Sequence, residues 1–246
     1  MNKVPLLAFL LLIFGPAPVR AAEQEPPGAA ESRLSATIGL SYRGTGGNAR
    51  VSNLGFDLGA KWGGTIWSLE GAFSWMTSHQ EGFKQAERLR GQVRGSRHLG
   101  KVWSLFLAPS WERDLFSGFA HRWGIASGLS VALPLGTRDQ VTGDVGISWN
   151  RDIPVTDSRR TFMGGMCQLR YTHAFTETSR LEQRVLWVPD FKRFKAWTGE
   201  SETALVASLG ARLALKASFL VRYRNEPLEG FKNTDTSTAL SLVCTL

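Results

Sequence analysis

The sequence predicts an all-β chain, a transmembrane antiparallel up-and-down β-barrel of about twelve strands. Three observations lead there. Apolar and polar residues alternate over long segments, the tryptophans keep to one parity face of that alternation, and short connections alternate with long ones. Trp67, Leu69, Gly71, Phe73 and Trp75 interleave with Ser68, Glu70, Ala72 and Ser74; Trp103, Leu105, Leu107, Pro109 and Trp111 interleave with Ser104, Phe106, Ala108 and Ser110. A strand sends successive side chains to opposite faces, so each run has one greasy and one polar face. The two tryptophans of each run are eight residues apart. At a rise of about 3.3 Å per residue and a tilt near 40° they lie roughly 20 Å apart along a membrane normal, which fits an apolar band about 25 Å tall bounded by aromatic girdles. A soluble sandwich would turn polar faces outward, whereas here the tryptophan-bearing faces are the apolar ones.

Residues 1–21 read as an export signal. Lys3 supplies the positive start, Val4–Phe14 is an apolar run broken only by Pro5, and Val19-Arg20-Ala21 sets up cleavage after Ala21. Eleven apolar residues are too few to cross about 30 Å of hydrocarbon. Residues 22–32, which include EQEPPGAAES, form a flexible periplasmic lead-in. The barrel occupies residues 33–246, in twelve alternating segments: Arg33–Arg43, Ala49–Trp62, Thr65–Thr77, Lys84–Leu99, Val102–Arg113, Ala120–Pro134, Gln140–Asn150, Phe162–Ala174, Arg180–Val188, Thr198–Ala211, Leu213–Arg224 and Thr234–Leu246. These lengths suit tilted membrane strands of about 9–11 residues. Connections after even-numbered segments are short: Gly63-Gly64, Gly100-Lys101, Leu135–Asp139, Phe175–Ser179 and a near-zero turn around Arg212. Those after odd-numbered segments, such as Arg151–Thr161 and Pro189–Trp197, are longer and polar. Outer-membrane barrels have short periplasmic turns and longer outward loops, and an even strand number puts both termini in the periplasm.

A formal net charge of +8 on an exported chain calls for an anionic neighbour. Nothing resembles a nucleic-acid motif, so the expected partners are outer-membrane lipid and lipopolysaccharide head groups, with the barrel-assembly machinery during biogenesis. Cys167 and Cys244 occupy lipid-facing positions without paired spacing, and no structural disulfide is expected. Beyond the leader no apolar stretch approaches 18 residues. If the chain spans a membrane, it must do so as a closed barrel.

The apolar parity supplies a candidate aromatic girdle of Trp62, Trp67, Trp75, Trp103, Trp111, Trp123, Trp149 and Trp187. The opposite parity is charged and is assigned to the lumen. Arg88, Arg90, Gln92, Arg94, Ser96 and His98 alternate with Leu89, Gly91, Val93 and Gly95. The same register turns Arg33, Arg43, Lys61, Arg122, Arg170, Arg180, Arg184, Lys216, Arg222 and Arg224 inward, with Asp57, Glu70, Glu112, Asp114, Asp144, Glu182, Glu202 and Asp235. Bases therefore outnumber acids, and two readings stay open. One is a paired network filling a closed interior; the other is a water-filled lumen whose excess bases favour anions. The outward loops add Arg151, Arg159, Arg160, Lys192, Arg193, Lys195 and Lys232, which either grip lipopolysaccharide phosphates or are ordinary solvated charges.

Catalysis finds little support. A barrel lipid hydrolase needs a Ser–His pair with an orienting third group. His79 and His121 lie at outer strand ends near Thr77, Ser78 and Ser117, yet no such arrangement is evident, and His173 near the periplasmic rim lacks identifiable metal partners. No histidine or cysteine cluster has metal-ligand spacing, and Gly44-Thr45-Gly46-Gly47-Asn48 links two strands rather than cradling a phosphate. No cofactor is expected.

Two stretches carry a family resemblance. The opening hairpin SYRGTGGNARVSNLGFDLGAKW resembles the strand–Gly-Asn–strand start of the salt-induced outer-membrane proteins, domain of unknown function 481. The ending RYRNEPLEGFKNTDTSTALSLVCTL is similar to that family's Tyr-x-Asn-x-Pro…Thr-Asp-Thr closing strand. The resemblance covers residues 33–246 and implies a barrel in the outer membrane of a Gram-negative-type cell, with no established activity to carry over. One departure is the close on Leu242-Val243-Cys244-Thr245-Leu246, where barrel proteins usually finish on an aromatic read by the assembly machinery. The expected function is an integral outer-membrane barrel of the cell envelope, not an enzyme: a small anion-preferring channel or a structural, osmotic-stress envelope protein. The alternatives are a lipid- or lipopolysaccharide-modifying hydrolase and a lipopolysaccharide-binding surface protein.

Overall fold

The computed structural model describes residues 33–46, 51–80, 83–155 and 159–246. The export signal, the lead-in and the Gly47-Asn48 hairpin tip lie outside the described residues, as do the side chains of Arg33, Ser78 and His79. Twelve strands form one sheet: β1 Arg33–Gly46, β2 Val51–Gly63, β3 Trp67–Gln80, β4 Phe83–His98, β5 Trp103–Asp114, β6 Phe119–Pro134, β7 Asp139–Pro154, β8 Arg160–Ala174, β9 Ser179–Val188, β10 Thr198–Ser208, β11 Leu213–Arg224 and β12 Thr234–Thr245. Each pairs antiparallel with its neighbours in sequence, and β1 pairs with β12 from Thr37↔Thr245 to Gly46↔Thr236, which closes the barrel. Closure is what a sheet in hydrocarbon requires, because an open edge would leave a row of backbone N–H and C=O groups without partners.

The strand number and order are those expected, while several boundaries shift. β1 runs on to Gly46 and β7 to Pro154, beyond Arg43 and Asn150. The reason is physical: past the apolar band both faces of a strand are polar, so the hydrophobic period fades while the hydrogen-bond ladder continues. The connection at Arg212 is four residues rather than near zero. β10 stops at Ser208, and Leu209 donates its N–H to Leu213 O across the turn. The apolar run Leu209-Gly210-Ala211 imitates strand continuation.

Leu40, Leu54, Leu107, Val145, Leu205 and Leu240 face outward and are exposed, as are Trp62, Trp67, Trp75, Trp103, Trp123 and Trp149, while Trp111 and Trp187 are half-buried on the same face. Trp62, Trp67 and Trp103 stand by the short turns, and Trp111 meets Trp123 across β5 and β6 with ring centroids 6.3 Å apart, nearer the long connections. Pro109 leaves a mark on the ladder: pairing of β4 with β5 passes from Gln92↔Ser110 to Gly95↔Leu107, because proline has no N–H to donate.

Glycine is required where Gly128 of β6 faces Gly146 of β7. A Cβ on Gly128 would lie 2.1 Å from Val145 O and 2.5 Å from Gly146 Cα, both backbone atoms that cannot swing aside. Gly128→Ala is therefore expected to lower stability by about 1–3 kcal/mol, the usual range for overpacking. Gly95→Ala, whose Cβ would enter open space, is the comparison. Urea unfolding of both variants in detergent micelles checks this, and equal midpoints would show that the two strands can separate freely.

Candidate functional site

Inside the barrel, apolar side chains form small separate patches among a dense set of ion pairs. Asp114, at the inward end of β5, is one hub. Its carboxylate accepts from Arg88 Nη2 at 2.8 Å, from the Ser117 hydroxyl at 2.9 Å and from the Ser117 N–H at 3.3 Å, and Arg222 Nη1 stands 3.8 Å away. Arg222 Nε donates to Glu200 at 3.3 Å, and Glu200 accepts from Arg184 Nη1 at 2.9 Å. Arg184 Nη2 reaches Glu202 at 3.0 Å, and Lys216 Nζ joins Glu182 at 3.3 Å and Glu202 at 3.7 Å. This chain of alternating charges crosses the lumen from β4 to the β9–β11 wall.

A second group lies on β4 to β8. Arg94 grips Asp144 with both terminal nitrogens at 2.8 and 3.0 Å, and Arg170 and Gln168 donate to the same carboxylate at 3.1 and 3.0 Å. Arg122 donates to Asp152 at 2.9 Å and lies 3.8 Å from Glu112. Asp144 and Glu112 are both 0% exposed. Carboxylates so far from water persist as ions only beside cations and hydrogen-bond donors. Aromatic faces support the guanidiniums: Arg94 lies 4.2 Å from the Phe106 centroid, and Arg224 4.3 Å from that of Phe119.

The residues assigned to the lumen from sequence are thus placed as follows. Arg88, Arg94, Arg122, Arg184 and Arg222 are buried inside; Arg90, Arg170, Arg180 and Arg224 are half-buried there; His98 is exposed at the short-turn rim. Asp152 and Glu200, both inward, were not among the acids read from sequence. Glu200 shares the parity of Glu202, and Asp152 that of Asp144, so extending the alternation through the strand ends would have found them. They narrow the excess of bases without removing it. Arg90, whose Nε and Nη2 are buried with no hydrogen-bond partner, stands opposite Glu112, whose two carboxylate oxygens are buried without one as well.

Nothing in the sequence pattern announced the inward turn that follows β5. The 3-10 turn Leu115–Ser117, capped by the Asp114 side chain, folds into the long-connection end and buries Phe116 against Met76, with Arg88 5.4 Å from the Phe116 centroid. Gly118 ends the turn at φ 78, where a Cβ would lie 2.5 Å from the Phe231 ring. The connection between β9 and β10 is pinned by Asp190, which is 1% exposed, is bridged to Gly164 and is ion-paired with Arg160. Burial acts to raise its pKa, but the Arg160 guanidinium and the backbone N–H groups of Lys192 and Arg193 outweigh it and hold the carboxyl below the usual range. A depressed folded-state pKa gives stability that is present above the unfolded value, near 3.9, and lost as pH falls through the folded one. Asp190→Asn is expected to cost about 2 kcal/mol of local stability at neutral pH, the scale of a hydrogen-bonded charge. Amide-exchange protection of residues 190–197 reports it; unchanged protection would remove Asp190 as the anchor.

Of the side chains weighed for hydrolysis, those of Ser78 and His79 lie outside the described residues, and Ser117 and His121 stand on opposite sides of the wall. Ser117 is buried inside against Asp114 and Asp235, whereas His121 faces outward and its Nδ1 accepts from Trp111 Nε1 at 3.3 Å. His173 has a partner unforeseen from sequence: its Nδ1 lies 2.8 Å from Asp139, which also accepts from the Tyr171 hydroxyl at 2.6 Å, on the outward face of the wall at the short-turn rim. Among the described residues no three His, Cys, Asp or Glu side chains are placed to hold a metal ion. Toward the short turns the lumen opens into a cavity of about 150 Å³, bounded by Gly59, Lys61, Glu70, Ala72 and Gln92 on β2–β4 and by Arg170, Thr172, Glu182, Arg184, Glu202, Ala204 and Lys216 on β8–β11.

Solved structures share this architecture. The NanC porin aligns with a TM-score of 0.60 at 10% identity, over 85% of this chain and 100% of the porin. An outer membrane channel from Pseudomonas putida F1 aligns with a TM-score of 0.54 at 12% identity, over 93% and 100%. The translocator domain of the autotransporter NalP from Neisseria meningitidis gives 0.50 at 11%, over 90% of each. At these identities the likeness is one of fold, that of outer-membrane barrels. No curated protein matches the chain. The family model described as protein of unknown function, DUF481, matches residues 38–246, and the chain belongs to that family.

Proposed function

We propose that this protein is an integral outer-membrane channel that prefers small anions and is held closed, in the conformation described, by its interior ion pairs and the Leu115–Ser117 turn. The reading is carried by one observation: a greasy outer wall surrounds an interior in which bases outnumber acids. In a narrow, low-dielectric passage such an excess lowers the cost of moving an anion and raises that of a cation. The short turns and both termini then face the periplasm, the tryptophans mark the two lipid boundaries, and lipid and lipopolysaccharide are the surrounding partners. The separation of Ser117 from His121 by the barrel wall argues against a hydrolase built on that pair.

Refolded protein in planar bilayers tests the proposal. Step currents with a reversal potential displaced toward that of chloride under a salt gradient are expected. Cation preference, or no steps at any voltage from a folded barrel, would end it.

A further inference from the structure

The connection between β9 and β10 builds a surface on the outside of the wall. Beyond Val188 the chain continues along β8: Gly165 N–H donates to Pro189 O at 3.1 Å, and Phe191 N–H to Met163 O at 3.0 Å. Met163 pairs with Trp149 of β7, so Trp149, Met163 and Phe191 form one row across three neighbouring segments. The row faces outward. A Cβ on Gly165, which shares the parity of Met163, would lie 3.5 Å from the Phe191 ring. Phe194 meets the outward Trp187 ring edge-on, with centroids 5.9 Å apart. Phe191 and Phe194 are 56% and 62% exposed. The Asp190 carboxylate accepts from the N–H groups of Lys192 and Arg193, so the connection is held in shape before anything binds and a ligand need not order it.

Cations adjoin the row. Arg151 lies on the same face of β7, two residues beyond Trp149 toward the long connections, and Lys192 and Lys195 directly follow the two phenylalanines. Arg160 and Arg193 are ion-paired with Asp190 and Glu226. Arg151, Lys192 and Lys195 are exposed, and none of them forms an ion pair among the described residues. They stand beside exposed aromatics at the level of the tryptophans that mark a lipid boundary, with acyl chains on one side of that level and phosphates on the other. An anionic lipid satisfies both halves at once, because a guanidinium grips a phosphate with two N–H groups and an ammonium holds it as a point charge. A phospholipid with a single phosphate would leave most of these cations unanswered, whereas a glycolipid with two phosphates and several acyl chains would not.

We infer that the outward face of β7–β8 and the β9–β10 connection bind lipopolysaccharide of the outer leaflet, its phosphates on Arg151, Lys192 and Lys195 and its acyl chains against Trp149, Phe191 and Phe194. This goes beyond conduction and rests on the channel reading only for the direction of the barrel, with the long connections outside the cell.

Native mass spectrometry of the refolded full chain in detergent, titrated with diphosphoryl lipid A, tests the site. A one-to-one adduct is expected, with dephosphorylated lipid A and phosphatidylglycerol each about tenfold weaker or worse, as for lost ion contacts. Arg151→Gln, Lys192→Gln and Lys195→Gln combined should weaken the adduct by about tenfold or more, and Phe191→Ser with Phe194→Ser by about tenfold. Retained heat-modifiable mobility certifies each variant as folded. Equal binding of either comparison lipid, or an adduct unchanged in the triple variant, overturns the site, as does a lipid-free dimer of the chain that the phenylalanine variant separates. Conductance keeps the two ideas apart: anion-selective steps without a lipid A adduct would remove the site and keep the channel, while an adduct without steps would support the site and remove the channel.

Discussion

Leu107→Arg is expected to lower the stability of the folded barrel by about 2–4 kcal/mol, the cost of a cation on the lipid face near the bilayer midplane. Leu107 lies midway along β5 between Trp103 and Trp111, faces outward and is 53% exposed. In water an exposed leucine replaced by arginine would be nearly neutral, so the size of the effect reports the solvent around the wall. Leu99→Arg gives the depth control. Leu99 is equally exposed but follows β4 at the short-turn rim, where the same change costs only about 0–1 kcal/mol because the side chain reaches the interface. Urea unfolding in phospholipid vesicles measures both. Equal, small effects would mean that the outward faces do not meet acyl chains.

Asp114→Asn should have the second large effect, of a different kind. The substitution nearly preserves volume but removes the charge beside which Arg88 and Arg222 are buried. Breaking a buried ionic group by neutralising one member typically costs about 3–5 kcal/mol; here Arg88 loses its ion-pair partner while buried, and Arg222 keeps Glu200 alone. The same carboxylate receives the Ser117 hydroxyl and N–H, so the plugging turn loses its tether as well. The outward faces are untouched, and the barrel is expected to form with a lower urea midpoint and to conduct more readily than the parent. Arg88→Met combined with Asp114→Asn should recover part of the loss, because one stranded charge is then gone. A midpoint identical to the parent's would show that the Asp114 hub contributes nothing, and unchanged conductance would show that the ion pairs do not hold the plug.

Architecture was readable because its cause is local. A side chain's parity along a strand is set by the backbone, and lipid on one side of the wall demands that parity be respected from Trp67 to Trp75 and from Trp103 to Trp111. Glycine-containing turns and polar loops then supply strand number and direction. Boundaries were less legible where the strands leave the apolar band: nothing in composition distinguishes paired Asp152 from a loop aspartate. Leu209-Gly210-Ala211 misled in the opposite sense, being apolar without being paired.

The inward direction of the bases followed from the same alternation, but their partners did not. Arg94 and Asp144 are 50 residues apart in sequence and meet only because closure of the barrel brings β4 opposite β7 across the interior. The folding of Leu115–Ser117 into the lumen and the place of Ser117 inside and His121 outside depend equally on that closure. Alternation by itself determined the wall and which face is charged, and the turns between the alternating segments determined the strand count, since each is a short-range property of the chain. Only the closed barrel decided which charges neutralise one another and where space remains, because distances across a lumen are set by all twelve strands together.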